Sequence, residues 1–315
     1  MHSRILGIVG TVAIALLGSA GAMAQGATPE ASPGGESLFA ELGLPELTVT
    51  ATNEGFEVSE SEVEAGRYLV HLVNETDSPG IAAGFIRLVE GKTLGDLSFA
   101  DEMASGTPMP QEMPDVETFA WTYDTYIAGG VTSDSNRAVI DLRGGEYGVW
   151  ADDPTAPIAA APLTVTGDAD ARIEGPEPEA AVTIVEEGAG GEGFKFTVTG
   201  EMTAGPQIVK ILNASDQPHF VIGFQYPEEI TIEQVMGFLM FDPSSGATPS
   251  AETLDETLLT IPMYAPTQSV GTTQWVELDP EPGQLVLACF VPAPVAEGIP
   301  HAFEGMVSLL PVAES

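Results

Sequence analysis

Short runs of alternating apolar and polar residues recur along most of this chain. LTVTA opens the first such region, and RYLVHLVN and PQIVKILN show the same alternation further on. Period-two alternation predicts β-strands with one buried face, and the Gly- and Pro-rich stretches between them predict turns. Thr93 and Thr231 each open a short amphipathic stretch, and Thr231 and Gln234 have the spacing of a helix capping box.

One pattern of residues occurs twice, 139 positions apart. Ala65-Gly66-RYLVHLVN corresponds to Ala204-Gly205-PQIVKILN, and the match runs without a gap to Gly84-Phe85 and Gly223-Phe224. Further on, at an offset of 138, residues 141–151 correspond to 279–289. Such self-similarity indicates two copies of one domain. We place them at residues 44–167 and 180–315, joined by an acidic Pro/Gly linker at 168–179, and predict an all-β fold of two tandem Greek-key β-sandwiches, each with a short helix in a long crossover.

The N-terminus has the features of a secretory leader. Arg4 precedes an apolar run, and the segment ends in Ala22-Met23-Ala24, an A-x-A cleavage pattern. We therefore expect residues 1–24 to be a signal peptide and the mature protein to be secreted or periplasmic. Residues 25–43, rich in Ala, Pro, Gly and Glu, are expected to form a flexible linker. No later apolar run reaches the ~20 residues that a membrane span needs.

The charge of the chain is strongly negative. It has 47 acidic and 9 basic side chains, a formal net charge of -38. Nucleic acids and anionic membranes are poor partners for such a surface, whereas a basic protein is a suitable one. The single cysteine, Cys289, has no partner for an internal disulfide, so it is expected to be buried, metal-bound or a reactive thiol. Its apolar surroundings argue against a reactive thiol.

The candidate chemistry lies between Gly283 and Met306. In the run LVLACF, both alternating sets of positions hold apolar residues. This predicts a strand that is buried on both faces and ends near Cys289. His301 follows after an apolar loop, and Met306 follows with Gly305 just before it. A thiolate, an imidazole and a weak axial thioether form a soft ligand set suited to copper.

This closing segment resembles that of the cupredoxins, the plastocyanin- and azurin-like blue copper proteins. They end in a glycine, an apolar strand, a ligand cysteine, Pro-His and Gly-Met, matched here by Gly283, Cys289, Pro300-His301 and Gly305-Met306. The resemblance also implies an upstream histidine after a strand ending in Asn, and IVKILNASDQPH supplies Asn213 and His219. It implies one copper ion bound by His219, Cys289, His301 and Met306. Eleven residues separate Cys289 from His301, where small blue copper proteins have only a few.

The first copy serves as an internal comparison. Gly80 stands at the position of His219, and Ala151 stands at that of Cys289. The first domain is therefore expected to bind no metal. His71 corresponds to Lys210 and is expected on a solvated strand face. Trp121, Tyr123 and Tyr126 are interpreted as a packing cluster.

Two hypotheses follow. In one, the second domain carries one copper ion and the protein is an electron carrier with a redox partner. In the other, the long loop keeps His301 from Cys289, and both domains are metal-free binding or structural modules. With only His219 and His301 left as ligands, the multicopper oxidase and nitrite reductase arrangements are not expected. A Cys–His catalytic dyad is not expected either, because nothing near Cys289 would lower its pKa. The protein is therefore expected to be no enzyme, and a monomer.

Overall fold

The computed structural model describes residues 37–78, 80–97, 120–152, 158–190, 192–240, 254–293 and 299–315. The predicted signal peptide, residues 1–24, lies outside these ranges, as does most of the predicted linker 25–43. The described residues form two β-sandwich domains, as the alternation predicts. The longest described helix has eight residues, and none of the described helices could cross a membrane.

The described part of the first domain has nine strands in two sheets. The strands are β1 (Glu46–Ala51), β2 (Phe56–Val58), β3 (Glu62–Glu64), β4 (Gly66–Asn74), β5 (Ala82–Arg87), β6 (Ile127–Thr132), β7 (Arg137–Leu142), β8 (Gly145–Ala151) and β9 (Ala161–Thr166). One sheet has the order β2-β1-β4-β7 and the other β3-β9-β8-β5-β6. Short 3-10 helices lie at Ala40–Leu42, Leu94–Leu97 and Ala120–Asp124.

The second domain repeats this arrangement. Its strands are β10 (Val182–Ala189), β11 (Gly193–Gly200), β12 (Met202–Thr203), β13 (Gln207–Asn213), β14 (His219–Tyr226), β15 (Thr260–Gln268), β16 (Thr273–Leu278), β17 (Gly283–Ala288), β18 (Pro292–Ala293), β19 (Ile299–Pro300) and β20 (Val307–Ala313). The sheets have the orders β11-β10-β13-β16 and β12-β20-β17-β14-β15, and β18 and β19, two residues each, form an added hairpin. Among its described residues, the α-helix is α1 (Ile232–Leu239), and 3-10 helices lie at Glu256–Leu258 and His301–Glu304.

The strand register supports the repeat and corrects one part of it. Tyr68 lies opposite Ile140 in the first domain and Gln207 opposite Leu278 in the second, which reproduces the offsets of 139 and 138. The predicted match of Phe85 with Phe224 is wrong by one residue. Phe85 points into the sandwich core, whereas Phe224 packs on the outer face with α1.

The two domains are joined edge to edge through both sheets. Strand β16 pairs antiparallel with β7, and β15 pairs with β6, so the sheets become continuous with eight and ten strands. One hydrophobic cluster runs through both sandwiches. Pairing in this way leaves neither domain with an open sheet edge at the junction.

The predicted helix signals give two different elements. Thr231 caps α1 in a complete capping box with Gln234, as predicted. The apolar side of α1 covers the outer face of the sheet, where Val235 and Leu239 pack with Val286. Thr93 precedes the 3-10 turn Leu94–Leu97, and Asp96 accepts hydrogen bonds from the Thr93 backbone and hydroxyl. The residues that follow, 98–119, lie outside the described ranges.

The end of the predicted flexible linker 25–43 is packed rather than free. Phe39 is buried against Leu69, Val139 and Trp275, and the Ser37 hydroxyl donates to Glu277 at 2.7 Å. Burial of the Phe39 ring and the hydrogen bonds of Ser37 and Leu38 to the Glu277 carboxylate offset the conformational entropy lost when this segment is ordered. Residues 37–43 therefore belong to the folded body.

The interdomain segment 168–179 is also fixed to the sheet beneath it. The Arg67 guanidinium donates to the carbonyl of Pro176 at 3.0 Å, forms a two-point ion pair with Asp141, and lies over the Trp275 ring. Lys210 also lies over that ring, 5.2 Å from its centroid, and pairs with Glu177. These contacts hold the segment across the junction of the two domains.

Candidate metal centre

Cys289 follows β17 at the point where this strand leaves the sheet. Leu285 and Leu287 point into the sandwich core, and Val286 and Ala288 point outward against α1, so both faces of β17 are buried as predicted. Cys289 is itself fully buried and points into the core. Its backbone N–H donates to the Met306 carbonyl at 3.3 Å, which ties the cysteine to the last strand.

His219 is the first residue of β14, and a polar turn orients its ring. The Asn213 side-chain nitrogen donates to the carbonyls of Gln217 and Gln268, which fixes the Asn213 side-chain oxygen on the opposite side as an acceptor. Asn213 Oδ1 accepts from the Ser215 backbone N–H and from the Ser215 hydroxyl, the latter at 2.8 Å. The Ser215 hydroxyl has two acceptors for its proton, Asn213 Oδ1 and the Gln217 carbonyl, so its oxygen can accept from His219 Nε2, 2.7 Å away. The turn therefore places the proton on Nε2 of His219.

His301 begins the 3-10 helix His301–Glu304. The hairpin β18-β19 brings the chain back after Cys289, and the His301 backbone N–H donates to Val291 at 3.0 Å. On its ring, Nε2 lies 3.0 Å from the Gln217 side-chain oxygen, to which it donates. Gly305 ends this helix with a φ of 107°, a conformation that favours glycine. The eleven-residue loop therefore returns His301 to Cys289 instead of holding it away.

Three predicted ligand atoms converge on one point. Cys289 Sγ lies 3.5 Å from His219 Nδ1 and 3.7 Å from His301 Nδ1, and the two Nδ1 atoms are 2.9 Å apart. From these separations, a point about 2.0 Å from all three atoms exists, close to the ~2.0–2.3 Å of metal–nitrogen and metal–sulfur bonds in proteins. The geometry therefore fits a single cation.

The two histidines present lone pairs to this point. Because Nε2 of each ring donates to Ser215 or Gln217, each Nδ1 carries a lone pair. Burial lowers the pKa of His219 to about 2, with the neighbouring His301 adding to the effect, and burial lowers the pKa of His301 to about 3. Neutral imidazoles are the form that binds metals. Two lone pairs facing each other in a dry core are unfavourable until a cation lies between them.

Opposing influences act on the pKa of the Cys289 thiol. Burial raises the pKa of the Cys289 thiol, and the nearby Glu186 carboxyl raises it further. The backbone N–H groups of Val291 and Phe220 point at the sulfur and act in the opposite direction, because they favour the thiolate. A thiol in this setting loses its proton when a metal ion binds to the sulfur.

Met306 completes the predicted set of residues. It is fully buried, its backbone N–H donates to the His301 carbonyl at 2.9 Å, and its carbonyl accepts from Cys289. Phe194 packs against both imidazoles, with ring centroids 4.9 Å from His219 and 4.3 Å from His301. All four predicted ligand residues are thus fully buried in the second domain.

The first domain keeps the supporting turn and lacks the ligands. The Asn74 oxygen accepts from the Thr76 backbone and hydroxyl, as Asn213 does from Ser215. Because of the one-residue shift in β5, Ile81 takes the inward position of His219, while Ala151 takes that of Cys289. His71 is half-buried on β4, opposite Arg137, and has no part in the centre.

The first domain nevertheless supports the centre, which sequence reasoning missed. The Tyr123 hydroxyl of the first domain donates to the carbonyl of Pro292, in the loop between Cys289 and His301. Asp152 accepts hydrogen bonds from the Tyr264 hydroxyl and from the backbone and hydroxyl of Thr267, all in the second domain. Tyr123 is therefore more than a packing residue, although no local pattern in the sequence predicts its contact with Pro292.

Comparison with known proteins finds solved structures only. No family model and no curated protein matches the chain. Auracyanin from Roseiflexus castenholzii is 20% identical, with 43% of this chain and 99% of that chain covered, at a TM-score of 0.26. Auracyanin A from Chloroflexus aurantiacus, a "blue" copper protein, is 20% identical over 41% of this chain and 97% of its own, at a TM-score of 0.24. Copper nitrite reductase from Nitrosomonas europaea is 12% identical over 85% of this chain and 93% of its own, at a TM-score of 0.23.

Proposed function

We propose that this protein, whose two domains have the cupredoxin fold, is an exported electron carrier that binds one copper ion in its second domain. The observation that supports the proposal most directly is the convergence of Cys289 Sγ and the two Nδ1 atoms of His219 and His301 in a fully buried position. The cluster of these residues with Met306 is consistent with a type 1 copper site. Copper held there would supply one-electron exchange between Cu(I) and Cu(II).

The donor set favours copper over other common cations. One thiolate, two imidazoles and a thioether are soft or borderline ligands, whereas calcium and magnesium take oxygen ligands. Structural zinc sites usually have four strong ligands, and Met306 would be a weak fourth one. The backbone N–H groups of Val291 and Phe220 at the sulfur would withdraw charge from the thiolate, which is one way in which a protein sets a redox potential.

The architecture supports a carrier better than an enzyme. His219, Cys289, His301 and Met306 are all 0% exposed, so no open coordination position faces solvent for a substrate. The ligand atoms are fixed by the Asn213 turn, the β18-β19 hairpin and two strands, which limits rearrangement between oxidation states. Among the described residues, this is the one cluster of three or more His, Cys, Asp or Glu side chains able to hold a metal.

The remaining parts of the proposal concern location and partners. The leader pattern of residues 1–24 supports export and a secreted or periplasmic location. The net charge of -38 supports a redox partner with a basic docking face. We expect the protein to act as a monomer, since one edge of each sheet in either domain is already covered by the other domain.

A copper titration tests the proposal. Metal-free mature protein titrated with Cu(II) is expected to turn blue through thiolate-to-copper charge transfer, to saturate at one equivalent, and to be reduced and reoxidised reversibly. Cys289→Ser should remove the colour, and His219→Ala or His301→Ala should weaken binding strongly. His71→Ala is the matched histidine control and should change nothing. Failure of the wild-type protein to bind one copper ion would leave a metal-free β-sandwich module.

A further inference from the structure

A buried carboxyl group lies beside the metal centre without a compensating cation. Glu186, on β10, is 0% exposed. Its Oε2 accepts a hydrogen bond from the Gln268 side-chain nitrogen at 2.8 Å, and its Oε1 has no hydrogen-bond partner among the described residues. A buried ionised carboxylate is costly unless it is paired with a cation or fully hydrogen-bonded. Burial raises the pKa of Glu186 to about 8, with the Gln268 hydrogen bond acting weakly against it.

The first domain shows that the fold does not need this group. Ala51 lies opposite Asn74 in the β1–β4 pair, and Glu186 lies opposite Asn213 in the β10–β13 pair. Since the two asparagines are equivalent, Ala51 is the counterpart of Glu186, and both point into their sandwich cores. The domain with the ligands thus has a carboxyl group where the domain without them has a methyl group.

Glu186 is coupled to the ligands electrostatically and through one intervening residue. Its charge raises the pKa of the Cys289 thiol, so the carboxyl group and the sulfur share one low-dielectric space. Its hydrogen-bond partner Gln268 lies opposite His219 in the β14–β15 pair and accepts from Asn213 through its carbonyl. Glu186 itself forms no described hydrogen bond with a ligand residue.

We propose that Glu186 is a proton-binding residue of the redox centre: its carboxylate takes up one proton when the centre gains an electron and releases it when the electron leaves. This inference rests on the proposed function. With a thiolate ligand, the centre has a net charge of +1 when oxidised and 0 when reduced. The oxidised centre therefore supplies the cation that Glu186 otherwise lacks, and reduction removes it. The electron comes from the redox partner and the proton from solvent, so charge balances in both states.

The other groups around Glu186 do not offer an alternative proton site. On the paired strands it lies opposite Phe196 and Asn213, neither of which titrates. Glu187 and Lys195 pair with each other on the outer face of the same sheet, away from the core. Across the sandwich lie Cys289 and the two histidines, which the metal would hold deprotonated. Asp152 also raises the pKa of the Cys289 thiol, but its carboxylate accepts hydrogen bonds from the backbone and hydroxyl of Thr267, which favour its ionised form.

The redox potential as a function of pH tests this inference. In the copper-loaded wild-type protein, the potential should fall with rising pH, approaching 59 mV per tenfold change in proton concentration in a window that ends near the pKa of Glu186 in the reduced state. Glu186→Gln should flatten the curve in this window and raise the potential above that of wild type at its alkaline end. Glu186→Ala, which installs the residue of the first domain, should do the same. Glu187→Gln, on the outer face, should follow wild type.

An infrared measurement provides a second readout. Reduction of the wild-type protein should produce the carbonyl band of a protonated carboxyl group, and this band should be missing in Glu186→Gln and present in Glu187→Gln. Copper binding with a pH-independent potential, or a slope that persists in Glu186→Gln, would overturn the coupling and leave the carrier intact. A protein that binds no copper would overturn the carrier proposal, and the coupling with it.

Discussion

The buried Glu186 carboxyl group makes the stability of the metal-free protein depend on pH in a calculable way. Burial raises its pKa from the ordinary 4.5 to about 8. Below pH 4.5 the group is protonated in both the folded and the unfolded chain, so it imposes no penalty. Between the two values the unfolded chain ionises first, and folding becomes less favourable by about 1.4 kcal/mol per pH unit. Above pH 8 the loss levels off at up to about 5 kcal/mol.

Glu186→Gln removes this penalty, because the amide does not ionise and has nearly the same shape. Urea unfolding of the metal-free proteins at pH 5 and pH 9 measures the effect. At pH 5 the variant and wild type should differ by less than about 1 kcal/mol, whereas at pH 9 the variant should be more stable by several kcal/mol. Titrating groups that Glu186 does not influence contribute equally to both proteins and cancel in the difference. The Cys289 thiol, which Glu186 does influence, stays neutral in both folded proteins because burial alone raises its pKa.

Glu187→Gln is the control for this measurement, since its exposed pair with Lys195 is worth at most about 1 kcal/mol at either pH. A difference between Glu186→Gln and wild type that is the same at pH 5 and pH 9 would show that Glu186 is not kept protonated by burial. That result would also remove the physical basis of its coupling to the metal centre.

Three further predictions concern residues that support the centre. Tyr123→Phe removes the hydrogen bond to Pro292 and should lower copper affinity several-fold, measured by competition with a chelator, at a stability cost of about 1 kcal/mol. Gly305→Ala forces a side chain into a φ of 107°, and thermal unfolding should show a loss of about 1–3 kcal/mol together with weaker copper binding. Arg67→Met leaves the partly buried Asp141 unpaired and should destabilise the protein by about 3 kcal/mol in urea unfolding, with an unchanged copper spectrum.

Each of these variants has a matched control. Tyr126→Phe also removes a hydrogen bond to a carbonyl, that of Asp141, but far from the loop, and should leave copper affinity unchanged. Gly237→Ala places a methyl group in open space on α1 and should be neutral or stabilising by up to about 1 kcal/mol. Lys92→Met removes a surface ion pair with Asp96 and a cation over the Trp121 ring, and it should destabilise the protein much less than Arg67→Met. Equal effects in a variant and its control would contradict the role given to the first residue.

The convergence of His219, Cys289 and His301 could be predicted from the resemblance of their motifs to those of the cupredoxins, and not from alternation alone. Alternation locates β13 and β17, the strands before His219 and Cys289, but it marks no strand before His301. The length of the Cys289–His301 loop argued against a shared metal site, and that argument was wrong, since loop length alone does not determine where a chain returns. The β18-β19 hairpin, with Pro292 opposite Pro300, takes up the extra residues and brings His301 back.

Long-range contacts could not be predicted from local patterns. The Tyr123 hydroxyl meets Pro292 across 169 positions, and Asp152 meets Thr267 across 115. Such pairs depend on the edge-to-edge joining of the two domains, which the repeat does not encode. The inward position of Glu186 could be predicted in part from the sequence. In VTIVEE, alternation places Val182 and Ile184 inward and Glu186 with them, and an alignment of the first strands of the two copies would have shown Ala51 in its place.

X-ray absorption at the copper edge of the loaded protein tests the central claim most directly, because it counts the atoms bound to the metal and measures their distances. A fit with one sulfur and two nitrogens at ~2.0–2.3 Å is the result that the convergence of Cys289, His219 and His301 predicts. Copper surrounded by oxygen and nitrogen atoms alone, without a short sulfur distance, would contradict it.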